Sequence, residues 1–197
     1  MKSIVFDCDG IICDFIKGFY DWYYANHYNY NHGDISRNPH NWNFDWSGDS
    51  QTIQRLIYQY IADKPILDLI FPEMPKIMAT LKQTYSIFIV THYPDSNTRL
   101  ENLTKLGILK GVHYDELYCL NSSREKVNMV LKLAPLHYVE DAPHIIKQIA
   151  LINQNINIYV PTNYNYCKSI HEQNINTTNI YYYDNPNQLF NIIINCF

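Results

Sequence analysis

The chain has 197 residues, enough for one well-buried core and an insertion but not for two full-sized domains. Its formal charge of -4, with no dense cluster of Lys and Arg, argues against a nucleic-acid polymer or an anionic membrane surface as partner. No run is apolar and long enough to span a bilayer, no secretory apolar region precedes Asp7, and the five cysteines show neither a Cys-x-x-Cys pair nor zinc-ligand spacing; a cytoplasmic protein with reduced, buried thiols is expected.

The first predicted element is the short apolar strand Ser3-Ile4-Val5-Phe6, which ends on Asp7-Cys8-Asp9-Gly10. Side chains two apart on a strand point the same way, so Asp7 and Asp9 can share one site, and Gly10 lets the backbone turn sharply. Clustered carboxylates call for a counter-charge. A hard divalent cation, most often Mg²⁺, supplies it and keeps positions open for phosphate oxygens. Taken alone, the tetrad also reads as a strand end followed by an Asp-Gly turn.

Between Asp14 and Pro72 lies far more chain than one crossover helix requires. It holds an aromatic-rich helix candidate from Phe15 to His27, an irregular stretch from Asn29 to Asp49, and a helix from Gln51 to Ala62 with Ile53, Leu56, Ile57, Tyr60 and Ile61 at helical spacing. This pattern predicts a small helical cap over the carboxyl edge of the sheet, residues 15–72, inserted into a core formed by 1–14 and 73–197. Trp42, Phe44 and Trp46 offer faces that can stack on a nucleobase; the competing reading is that they build the cap's own miniature core.

Past the cap, strand-like runs at Ser86 to Val90, Leu117 to Leu120, Leu136 to Val139, Ile156 to Val160 and Ile180 to Tyr183 alternate with helix-like segments. Among the helices are Glu73 to Gln83, Asp95 to Leu106 with Leu100, Leu103 and Leu106 on one face, and Arg124 to Leu133. Such alternation predicts an α/β fold with a mostly parallel sheet covered on both sides. Three further signals sit in this half. Thr91 ends one strand and is followed by His92-Tyr93-Pro94, where a hydroxyl and turn N–H groups can meet a phosphate oxygen. Lys126, near a predicted helix start, can pair with the carboxylates and offset phosphoryl charge, with Arg124 as its competitor. Glu140-Asp141 ends another strand, where acidic residues either join Asp7 and Asp9 at the switch point of the sheet or cap the next helix.

In this order, Asp7-x-Asp9-Gly10, Thr91, Lys126 and Glu140-Asp141 resemble the four motifs of the haloacid dehalogenase-like phosphohydrolase superfamily, and the resemblance runs over essentially the whole chain. The opening from Asp7 to Phe15, with a further Asp14 and an aromatic, looks like the 5'(3')-deoxyribonucleotidases; Thr91-x-x-Pro94 and the adjacent acids 140 and 141 agree. Glu140 in place of the usual Asp, and His92-Tyr93, depart from that pattern. The resemblance implies a Rossmann-like core with a type-one cap, and an Asp7 nucleophile that forms an aspartyl-phosphate. Asp9 would serve as acid and base. Mg²⁺ would be held by Asp7, Asp9 through its carbonyl, and Asp141, with Glu140 acting through water or from behind. Thr91, His92 and Lys126 would contact the phosphate. The implied substrate is a small phosphate ester, first a deoxyribonucleoside monophosphate and second a phosphosugar or a terminal nucleic-acid phosphate; a homodimer is compatible with it. A receiver-type phospho-acceptor is disfavoured because its acceptor Asp sits mid-chain, and a silent ligand binder because every expected catalytic position is filled.

Overall fold

Six short runs rich in β-branched and aromatic residues form the sheet of the computed structural model, which describes residues 2–26, 34–172 and 178–195. They are β1 (Ser3–Phe6), β2 (Ser86–His92), β3 (Glu116–Leu120), β4 (His137–Val139), β5 (Asn157–Pro161) and β6 (Ile180–Tyr183). All neighbours pair parallel, in the order β3-β2-β1-β4-β5-β6. A parallel interior strand is buried on both faces, which is why Ile4, Val5 and Phe6 are fully buried with no polar alternation between them. Val5 lies between Phe88 and Tyr138.

The connections are the helices α3 (Met74–Leu81), α4 (Ser96–Lys105), α5 (Ser123–Leu133), α6 (Pro143–Ile152) and α7 (Asn165–Glu172), with α8 (Pro186–Asn195) after the last strand. Right-handed crossovers put α3 and α4 on one face and α5, α6 and α7 on the other. Packing agrees: α5 meets α6, α6 meets α7, and α3 meets α8. Several helix starts are written locally. Asp95 accepts from the N–H groups of Asn97 and Thr98, while Ser122 accepts from Glu125 N–H and Glu125 returns a bond to Asn121 N–H. Strand order reverses direction between β3 and β4, so the carboxyl ends of β1 and β4 border a crevice.

Between β1 and α3 stand α1 (Phe15–Asn26) and α2 (Ser50–Ala62), joined by an irregular segment described from residue 34. The entry and exit chains bond to each other, Asp14 N–H to Asp68 O at 2.9 Å and Ile70 N–H to Ile12 O at 3.0 Å. Phe19, Tyr23, Phe44, Ile53, Leu56 and Tyr60 fill the interior of this unit, with the Phe19 and Phe44 rings 4.5 Å apart. One expectation about packing fails. On α4 the buried residues are Thr98, Arg99, Asn102 and Leu103, while Leu100 is 44% exposed.

Candidate active site

The end of β1 delivers Asp7 into the crevice, and its N–H is tied to Val139 O of β4 at 2.9 Å. The loop then turns back on itself: Ile12 and Cys13 N–H both reach Cys8 O at 2.8 Å. Gly10 makes that turn with φ of +84°, and a Cβ there would lie 1.8 Å from Asp141 Oδ2. No other residue lets the two loops approach this closely.

Asp7, Glu140 and Asp141 are all buried and bring one oxygen each within 4.8 Å of one another. Lys126, on the first turns of α5, puts its ammonium 2.8 Å from Asp7 Oδ1 and 2.7 Å from Glu140 Oε2. Arg124, its competitor in the sequence, is exposed. Burial works against the Lys126 charge, but Asp7 and Glu140 outweigh it and hold the ammonium above its usual range. Burial likewise opposes the Glu140 charge, yet Lys126, Tyr138 and the Ala142 N–H keep that carboxyl below its usual range.

The other two acids are under-compensated. Burial first, then Glu140, push the Asp7 carboxyl up to about 8 against the pull of Lys126. Asp141 is raised by burial and by both neighbours. Tyr166 donates to Asp141 Oδ2, whereas the buried Oδ1 has no hydrogen-bond partner among the described residues. Three buried carboxylates against one ammonium, one of them with an oxygen that no described group satisfies, fit a hard divalent cation held by oxygen ligands. Asp7 and Asp141 have the free lone pairs for it. Glu140 spends its oxygens on Lys126, Tyr138 and two backbone N–H groups, the geometry of a residue that orients the others.

Asp9 also lines the cleft. The fully buried Arg99 of α4 donates from Nη2 to both Asp9 oxygens at 2.7 Å, and Thr91 Oγ1 is 3.5 Å from Oδ2. Thr91 is itself buried; His92 is exposed, with Nε2 3.1 Å from Asn121 O.

These groups floor a cleft of about 380 Å³. One wall includes His92, Tyr93, Pro94, Ser123 and His144, and the other is Phe15, Trp42 and, from α2, Gln54, Ile57, Tyr58 and Ile61. The structure thus brings together Asp7, Asp9, Thr91, His92, Lys126, Asp141 and Trp42, and puts Glu140 directly behind them. Phe44 and Trp46 lie elsewhere, packed against Phe19 and Tyr23 of α1. Arg99, Tyr166 and the α2 wall are absent from the motif-based reading. The wall had a signal: positions 54, 57, 58 and 61 share one helical face beside the buried stripe Ile53, Leu56 and Tyr60, an apolar arc too wide for a single interface.

The segment between β1 and α3 is also tied at this edge to the chain that follows β5. Tyr164 donates to Asp14 Oδ1 at 2.6 Å, Asn165 bonds Asn38 through both its N–H and its side-chain amide, and Tyr166 N–H reaches Pro39 O at 3.1 Å. The Tyr166 ring packs 5.4 Å from Trp42.

No family model matches the sequence, and no curated protein does. The fold is nonetheless that of known structures. A haloacid dehalogenase-like hydrolase from Streptococcus pneumoniae superposes with a TM-score of 0.66 at 15% identity, covering 98% of both chains. A predicted phosphoglycolate phosphatase from Haemophilus somnus gives 0.64 at 16%, again covering 98% of each. The L-2-haloacid dehalogenase from Xanthobacter autotrophicus, with chloropropionic acid covalently bound, gives 0.62 at 8% over 100% of both. At these identities the likeness shows the α/β fold alone.

Proposed function

We propose that the protein is a Mg²⁺-dependent phosphomonoesterase acting through an aspartyl-phosphate, with a deoxyribonucleoside monophosphate as its preferred substrate. The observation that carries the reading is the buried Asp7–Lys126–Glu140–Asp141 cluster on the floor of a cleft whose roof is apolar and aromatic. Asp7 attacks phosphorus in line while Lys126 and Thr91 stabilise the equatorial oxygens. As the P–O ester bond breaks, Asp9 gives its proton to the leaving oxygen; it then takes one from the water that cleaves the acyl phosphate, returning Asp7 and inorganic phosphate. A bound cation would neutralise phosphate charge, with Asp7, the Asp9 carbonyl and Asp141 as its ligands.

The cleft argues for the leaving group. Lys126 is the one Lys or Arg among its described lining residues, and Asp7 and Glu140 already engage it, so a second anion such as a carboxylate meets no cation. Phe15, Trp42, Ile57, Tyr58 and Ile61 suit a flat, weakly polar body, with Gln54 able to read one edge. A phosphosugar is the second reading, since His92, Ser123 and His144 offer hydroxyl partners on the core side.

Phosphate release from deoxyribo- and ribonucleoside monophosphates and from phosphosugars, with Mg²⁺ or EDTA, tests the proposal. Mg²⁺-dependent release favouring deoxyribonucleotides and abolished in Asp7→Asn is expected. Release from sugars alone would move the assignment to the second reading, and release from no ester would refute both.

A further inference from the structure

Arg99 is fully buried on α4, yet its guanidinium is poorly served as a structural cation. Nη2 spends itself on Asp9 Oδ1 and Oδ2, while Nε and Nη1 have no hydrogen-bond partner among the described residues. The Tyr93 ring lies under the charge, 4.0 Å from its centre, and is itself a wall of the cleft. A buried charge with two unpaired nitrogens is an expensive way to fill space, and an apolar side chain of similar volume would commonly serve stability as well. Among the described residues its one strong polar contact is with Asp9, whose other side-chain bond there, from Thr91 Oγ1, is 3.5 Å long.

We infer that Arg99 is a positioning residue for proton transfer: it fixes the Asp9 carboxyl group against the cleft wall made by Tyr93, aimed at the leaving-group oxygen. Nη2 faces both oxygens, so either one can accept from it while the other faces the ester, and the grip survives both halves of the reaction. Aim matters because a general acid works only within hydrogen-bond reach of the atom it protonates. The inference rests on the phosphomonoesterase reading and goes beyond it by assigning a residue that touches neither phosphate nor metal.

The test compares two esters. p-Nitrophenolate leaves without help from an acid, whereas the alkoxide of a nucleoside or sugar does not. In Arg99→Met, kcat/KM for the best alkyl phosphate should fall about 100-fold, the scale of general acid catalysis, while kcat/KM for p-nitrophenyl phosphate falls less than about 5-fold. Arg99→Lys, which keeps a cation near Asp9, should recover part of the alkyl ester loss. A purely structural role lowers both esters alike, and equal losses, or no loss on the alkyl ester, overturn the inference. Thermal melting of each variant reports folding; if Arg99→Met fails to fold, the same ratio of losses in Arg99→Lys decides. Wild-type protein inactive on both esters with Mg²⁺ would instead sink the phosphomonoesterase reading and the inference with it.

Discussion

Gly10 and Asp141 show how little room the site leaves. Their loops come from strands that pair with each other, β1 and β4, and the missing Cβ of Gly10 is what lets Asp141 reach the Asp7 oxygens. Gly10→Ala would place a methyl 1.8 Å from Asp141 Oδ2 and 2.5 Å from its Cγ, at a φ that L side chains rarely adopt. Asp141 cannot simply swing aside, because Tyr166 holds its Oδ2. Gly10→Ala is therefore expected to lower stability by about 1–3 kcal/mol through backbone strain alone. If the proposed function holds, phosphatase turnover should drop much further than that, since the carboxylate proposed as a metal ligand is displaced. Urea unfolding beside kinetic assays would separate the two effects; a variant that keeps wild-type turnover would show that Asp141 has freedom the packing denies it.

At the scale of elements, β4 carries a pH-dependent load far from the cleft. His137 at its start is buried, with Nδ1 2.8 Å from the Tyr159 hydroxyl and the Tyr85 ring edge-on at 5.5 Å. Burial, with Lys2 adding to it, holds the imidazole down at about 4. The sign follows: the unfolded chain takes up the proton first as pH falls through about 6.5, so the contribution is present above that value and is lost on the way down to about 4. Urea unfolding at pH 7.5 and pH 5 should show wild type losing on the order of 2 kcal/mol that His137→Gln does not lose. Equal slopes in both proteins would mean the histidine is protonated in the fold. The strands were readable because each is a short apolar run ending in a turn, and the surplus chain after β1 folds into α1 and α2 before α3 begins. Aromatics at 42, 44 and 46 would share one face only in an extended chain; Phe44 and Asp45 instead adopt φ of 60° and 58°, sending Phe44 and Trp46 inward and Trp42 to the cleft. Arg99 was unreadable for a different reason. A helical Arg is ordinarily a solvated one, and its partner Asp9 lies 90 residues away in the chain.

Across the whole molecule, Tyr166 stands where three parts meet: its hydroxyl donates to Asp141, its ring packs on Trp42, and its N–H holds Pro39. The carboxylate cluster and the cap segment are thus oriented by one side chain, a linkage of the kind that tunes metal ligands from behind. Without a cation the cluster is strained electrostatically, and because the folded Asp7 carboxyl is raised to about 8, its contribution favours the fold below the ordinary carboxylate range and fades as pH climbs toward 8. Mg²⁺ should therefore raise the melting temperature, and by more at pH 8 than at pH 5, with the gain lost in Asp141→Asn. Tyr166→Phe keeps the ring contact with Trp42 and removes only the hydroxyl. Its Mg²⁺ affinity, read by calorimetric titration, should fall about 10-fold, the lower end of what loss of such an orienting group costs. An unchanged affinity in Tyr166→Phe would mean that Asp141 is aimed by its own loop, through Glu140 and the Gly10 turn, and that the cap's grip on Tyr166 is invisible to the metal site.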